Sequence, residues 1–350
     1  MQTTSFPRKL QEIKKNTQIE PMGYDGGFGA VKLTGQSSQV MMPSYLLPVT
    51  GELYGLPDTE QGCLIEYIDG TAEKLIGKRW FAGQMASIQS PNSYIKVTDD
   101  KLGKITYGLQ ILLGAIALTK PLQKQTLSIM ASIQDAQAWG AELKSALEGI
   151  HYIKVNQSWE TCLNVRIEKV LEEGVGTSYY CRQQGLLESG SKAGMLDLGN
   201  GTTIASILSG GNVIQRKVFP DGVQVLVETI CGHIDVRKRL GEEGKPHLVR
   251  AGLERGDFIY GRGRNSWSFA SIYQESIAQW GQLTLAPALK MMQQWNAEHD
   301  VVIATGGGSK LPGIEKILSK RGIEVLPDGV FANSRGLYGL AQMKQRRIAS

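Results

Sequence analysis

Three times along the chain an apolar run meets glycines and then resumes or gives way to a helix. Met195 to Leu208, MLDLGNGTTIASIL, is an apolar run carrying one Asp, a loop of Gly and Thr, and a second apolar run. Such a pattern predicts two strands joined by a tight turn. Met22 to Leu33, MGYDGGFGAVKL, repeats the design, with Asp25 before Gly26 and Gly27 and an apolar strand resuming at Ala30. Val301 to Pro312, VVIATGGGSKLP, runs a buried strand into three glycines, with a helix expected over 312–321.

The rest of the pattern fills in around these breaks. Residues 34–91 are rich in Gly and Pro and carry short β-like runs such as Leu64 to Ile68, which predicts a small, loop-rich insert. Thr106 to Thr119 is apolar at helical spacing, and Thr126 to Ile133 reads as a strand. Ala136 to Leu147 reads as a helix with Trp139, Leu143 and Leu147 on one face. Strands are expected at His151 to Val155, Cys162 to Ile167 and onward to Leu171, and Val213 to Pro220 closes a second sheet. Asp221 to Leu240 reads as one helix, with Val223, Val227, Ile230 and Ile234 recurring on one face. Phe269 to Trp295 places Ile277, Trp280, Leu283, Leu289, Met292 and Trp295 at helical spacing, with Pro287 breaking or kinking it. Ile323 to Pro327 is one more strand, and Phe331 to Leu340 a closing helix. Strands and helices in this order predict an α/β protein with mixed sheets.

Composition narrows the function classes. At 350 residues, 41% apolar and 20% charged, the chain has room for two domains with sizeable cores. The net charge of +5 is spread along the chain and is no nucleic-acid signature. Basic runs at Arg8 to Lys15 and Lys344 to Arg347 read as solvated termini. Cys63, Cys162, Cys181 and Cys231 form no C-x-x-C pair, and His151, His233, His247 and His299 show no H-E-x-x-H spacing. Free thiols suit a reducing cytoplasm. No secretory leader is written at the start, and the longest uncharged apolar segment, Ile105 to Leu118, is shorter than the roughly 20 residues of a membrane span. A Walker-type P-loop is absent.

The glycine breaks carry the candidate chemistry. Gly199 and Gly201 leave no side chain in the way, so the loop from Gly199 through Asn200 and Gly201 to Thr202 and Thr203 can turn N–H groups toward a phosphate. Asp197, at its mouth, suits a magnesium-bound water. In the first hairpin, Asp25, Gly26, Gly27 and Phe28 lead into a strand whose Lys32 returns near the turn, where an ammonium meets a phosphate oxygen. Gly306, Gly307, Gly308 and Ser309 follow the third strand, and in an open α/β sheet ligands lie beyond the carboxyl ends of strands. Each motif alone also reads as an ordinary turn; together they describe a nucleotide site gripped from two sides.

The three motifs in this order resemble the actin-like ATPase superfamily, and within it the ParM/StbA group of plasmid-segregation actins. Asp25 to Lys32 is similar to its first phosphate loop, Asp197 to Thr203 to its second, and Ile303 to Ser309 to its adenosine motif. The resemblance implies a duplicated, ribonuclease H-like two-domain fold with a nucleotide cleft between the domains. Expected boundaries are an N-terminal arm at 1–16, domain I at 17–193 with an insert near 34–95, domain II at 194–330 with an insert near 223–268, and a C-terminal segment at 331–350 returning to domain I. It also implies Mg2+ held through water by Asp25 and Asp197, ATP as the nucleotide with GTP still open, and a ribose contact from Glu228. A water-orienting carboxylate is implied at Glu173, with Glu172 as the alternative because that position is often Pro in this group. Asn200 stands where relatives carry an acid or Gly. The implied output is a head-to-tail filament in the cytoplasm that moves plasmid DNA through a DNA-binding adaptor, the chain itself binding neither nucleic acid nor membrane. A small-molecule kinase using Asp135 and a non-polymerising regulatory module remain as other readings of the same fold.

Overall fold

The computed structural model describes residues 19–97, 102–188, 190–210, 212–295 and 298–349. The expected arm at 1–16 lies outside them. The chain divides into two compact units, one of residues up to Tyr180 together with those from Asn333, the other Cys181–Ala332. Among the described residues no helix is long and apolar enough to cross a membrane.

The first unit is built on ten strands: β1 (Ile19–Gly26), β2 (Ala30–Thr34), β3 (Gln39–Pro43), β4 (Tyr45–Val49), β5 (Gly62–Gly70), β6 (Arg79–Gly83), β7 (Ile95–Lys96), β8 (Lys124–Ile133), β9 (Gly149–Val155) and β10 (Trp159–Glu172). They form one sheet in the order β3-β2-β1-β8-β10-β9-β5-β6-β4-β7, with β1, β8 and β10 parallel at its centre. The stretch read as a loop-rich insert thus pairs into the main sheet through β5 and β9, while Tyr45, Leu64, Phe81, Met85 and Ala86 form a small core of their own. The run from Cys162 to Leu171 is one strand, with a bulge between Ile167 and Lys169.

Side chains alternate faces along each strand. Met22, Tyr24, Ile129 and Ala131 enter the main core with the Gly108–Leu118 and Ala136–Leu147 helices. Met130, on the opposite face, packs with Leu337 and Ala341 of the C-terminal helix. That helix, Gly329–Ala349, is longer than the expected 331–340. It approaches backbone to backbone: a Cβ on Gly23 would overlap Ser334 and Tyr338, and one on Gly336 would overlap Gly176, including its Cα at 2.9 Å. Trp139 does not share the buried face of Leu143 and Leu147; it is 39% exposed, and Gly140 takes the inward position against Val170.

One buried polar pair sits in this sheet. Tyr67 on β5 and His151 on β9 share a hydrogen bond of 2.9 Å, and His151 is 1% exposed. Burial penalises its charged form and holds its pKa down at about 4. The unfolded chain therefore binds a proton at higher pH than the folded one, and stability falls as pH drops from the ordinary histidine value toward 4. Urea unfolding at pH 7 and pH 5 is expected to show a loss of roughly 2 kcal/mol from this group. A His151→Gln variant should lack that component.

The second unit has a five-stranded sheet of β11 (Lys192–Leu198), β12 (Thr203–Ser209), β13 (Asn212–Phe219), β16 (Val301–Thr305) and β17 (Glu324–Val325), ordered β13-β12-β11-β16-β17. A two-stranded ribbon, β14 (Ile259–Tyr260) with β15 (Trp267–Ser268), stands apart from it. The helix expected over 221–240 is two, Val223–Gly232 and Ile234–Leu240. His233 between them is extended and its ring accepts the Asp235 N–H, capping the second helix and leaving Ile234 50% exposed. Pro287 lies in the first turn of Ala286–Gln293, behind a π-helical turn at Gly281–Leu285 that carries the chain on from Ala270–Trp280. The same turn puts Leu283 outside, 60% exposed. The helix after the glycine triplet is confined to Ile314–Ser319 by the left-handed Gly313 at φ 88°. All four cysteines are buried thiols outside any disulfide, and burial pushes the Cys63 and Cys181 thiols up to about 12.

Candidate nucleotide site

In the first unit the β1–β2 register sets Asp25 opposite Lys32, with Lys32 Nζ 3.8 Å from Asp25 Oδ2. Gly27 and Phe28 form the turn. A Cβ on Gly27 would stand 3.2 Å from Lys32 Nζ, so the bare backbone and the ammonium lie together there. The Ser44 hydroxyl donates to the Gly27 carbonyl at 2.7 Å and steadies the turn from β3's far end. Tyr24, Gly26, Gly27, Ser44, Lys104 and Ser132 line a small pocket beside it.

The acidic pair at the end of β10 separates into two settings. Glu172 turns to the start of the Ala136–Leu147 helix, accepting the N–H of Asp135 at 3.1 Å and of Ala136 at 2.5 Å. Glu173 turns the other way and pairs with Lys104, the two side chains being 13% and 9% exposed. Lys104 Nζ also stands 4.3 Å from the centre of the Phe28 ring. Asp135 caps its own helix, accepting the Ala138 N–H. Lys104, Ser44 and Ser132 were not singled out by sequence reasoning. None sits in a motif, and only the folded sheet brings them beside Gly27.

In the second unit Asp197 lies at the end of β11, paired in register with Thr305 at the end of β16. Gly199 N–H donates to Thr202 O at 3.0 Å and closes the turn. Val223 and Gln224 then donate their N–H groups to the Gly199 and Asn200 carbonyls, so the turn and the following helix are fixed to each other. Gly201 and Thr202 are half-buried at the turn, and the Asn200 amide oxygen is buried with no hydrogen-bond partner among the described residues. Thr203 is fully buried and its hydroxyl donates to Asp221 O.

The glycine triplet has two roles. Gly306 is left-handed at φ 82° and its Cβ would overlap Asp197 and Leu198, while a Cβ on Gly308 would stand 2.9 Å from Leu198 and Val223. These two let the loop lie against β11. Gly307 alone faces open space. Ser309 is buried, its hydroxyl donating to Gly306 O at 2.7 Å. Glu228 is exposed and accepts from Gln224 at 2.5 Å.

Residues 23–176 match the family model for the N-terminal domain of actin-like proteins. No curated protein matches the chain in sequence. Among solved structures it is similar to the archaeal actin homologue Ta0583 in complex with ADP, at 16% identity and a TM-score of 0.70, covering 93% of this chain and 99% of that one. Bacillus thuringiensis ParM with ATP is similar at 13% identity and a TM-score of 0.68, over 94% and 99% of the two chains. The Alp12 filament structure is similar at 14% identity and a TM-score of 0.63, over 94% and 100%. The fold is therefore actin-like, and the resemblance to ParM-type actin-like proteins is borne out.

Proposed function

We propose that this actin-like chain binds Mg-ATP through the loops of both units, hydrolyses it slowly, and assembles head to tail into filaments that carry plasmid DNA through a separate DNA-binding adaptor. The observation that carries the reading is the first hairpin, where Asp25, Lys32 and the bare Gly27 backbone are gathered by one strand register. A carboxylate, an ammonium and a glycine backbone open to approach are what a polyphosphate with a hard cation requires. The second unit supplies Asp197 at a comparable strand end and the buried, unpartnered Asn200 amide oxygen.

No cluster of three or more His, Cys, Asp or Glu side chains capable of holding a metal forms among the described residues. Asp25 and Asp197, each at a strand end of its own unit, are the carboxylates that would hold a magnesium ion through water, with the phosphates supplying its other ligands. When bound, the ion would neutralise phosphate charge. Lys32 and the turn N–H groups would orient the phosphates, and Glu173 would accept a hydrogen bond from the attacking water. The relatives with ADP, with ATP and in a filament support nucleotide binding and self-association for this chain.

Binding of fluorescent ATP and GTP, with sedimentation and electron microscopy of the magnesium complex, tests the reading. ATP-dependent pelleting of filaments is expected. Asp25→Ala should weaken Mg-ATP at least about tenfold and abolish pelleting, with less effect when magnesium is chelated, since it removes a contact made to the cation. A wild-type chain that binds neither nucleotide and stays in the supernatant would sink the proposal.

A further inference from the structure

We infer that Lys104 is a positioning residue for hydrolysis, the group that ties Glu173 to the first phosphate turn. This rests on the nucleotide reading above and extends it to a residue outside the three glycine motifs. Lys104 comes from a short helix, Gly103–Thr106, and its side chain is 9% exposed. A lysine this enclosed needs a reason, because desolvating an ammonium is costly unless it is paired. Here it has two partners. It bonds Glu173, and it lies over the Phe28 ring in the turn itself. Lys104 is also among the residues that line the pocket with Gly26, Gly27 and Ser132.

One cation therefore touches both the turn proposed to hold the phosphates and the carboxylate proposed to hold the water. Their separation in sequence, from Phe28 to Glu173, means nothing local sets their relation. The Glu173 backbone is fixed to the sheet by its N–H to Ile133 O at 3.2 Å, and the ion pair with Lys104 holds its carboxylate on the side of the Phe28 turn. Without Lys104 the carboxylate loses this ion pair in an enclosed place, and its direction toward the water position shifts. The role is orientation, so the loss should appear in turnover rather than in nucleotide affinity.

The test is a double-mutant cycle on full-length protein with Mg-ATP. Lys104→Met is expected to lower kcat about tenfold with the ATP dissociation constant changed less than about twofold, and Lys104→Arg to restore part of the rate. Glu173→Gln should lower kcat further, and adding Lys104→Met to it should cost little more, because both act through one carboxylate. Unfolding midpoints of all variants separate folding loss from catalytic loss. Additive losses, failure of the arginine variant to recover any rate, or a fall in affinity with kcat intact would overturn the inference while leaving ATP binding standing. A wild-type chain that binds no ATP would overturn the nucleotide reading and this one with it; one that binds ATP but does not turn it over would overturn this inference and the hydrolysis it rests on, and leave nucleotide binding standing.

Discussion

Glu173→Ala is expected to reduce ATP turnover by two to three orders of magnitude at saturating Mg-ATP, while Glu172→Ala leaves turnover within about threefold of wild type and lowers stability instead. Removing one group that orients a reacting water or stabilises developing charge costs about 3–4 kcal/mol of barrier, which corresponds to that fall. Glu172 has a different task. It receives the N–H groups of Asp135 and Ala136, two of the donors a helix start leaves without internal partners. Losing such a cap costs roughly 1–2 kcal/mol of folding free energy. Single-turnover kinetics and urea unfolding on both variants check the two halves. Equal losses of turnover in the two variants would contradict the division of labour.

Gly336→Ala is expected to be the most damaging small substitution for folding, at roughly 3 kcal/mol. The added methyl would meet the backbone of Gly176, which cannot swing aside as a flexible side chain can. Gly23 and Gly176 lie in the same contact, where their own Cβ positions are taken by the C-terminal helix. The helix cannot escape by sliding, because the Asn333 amide donates to Ser132 Oγ at 2.9 Å and Ser334 bonds Thr34 at 2.9 Å. Gly281→Ala is the control. A Cβ there meets nothing within 4 Å, and alanine is the better helix former. Urea unfolding should show a large loss for the first and no loss for the second. A Gly336→Ala protein of wild-type stability would mean that the helix is not seated as described.

The hairpins were legible in the sequence because their signals are local: Asp25, Gly26, Gly27 and Lys32 stand within eight residues, and antiparallel pairing alone puts Asp25 opposite Lys32. The unequal settings of Glu172 and Glu173 were not, since adjacent identical residues differ only by which side of the strand end they leave. Lys104 was invisible for a related reason: it meets Phe28 and Glu173 only after β1, β8 and β10 have aligned. The break at His233 was hidden because apolar spacing continues through it, from Ile230 to Ile234, although the backbone does not. Gly306 and Gly308 were read as room for a ligand. Packing against Leu198 already requires glycine at both, which a string of three glycines does not reveal.

The shielding of Cys63, Cys162, Cys181 and Cys231 has a practical side. A maleimide dye added to the folded protein finds no native thiol on the surface, so one cysteine introduced at an outward position takes the label selectively. The assembly proposed above can then be tested by light microscopy on otherwise native protein, without first stripping the chain of residues that its cores use as small apolar fillers.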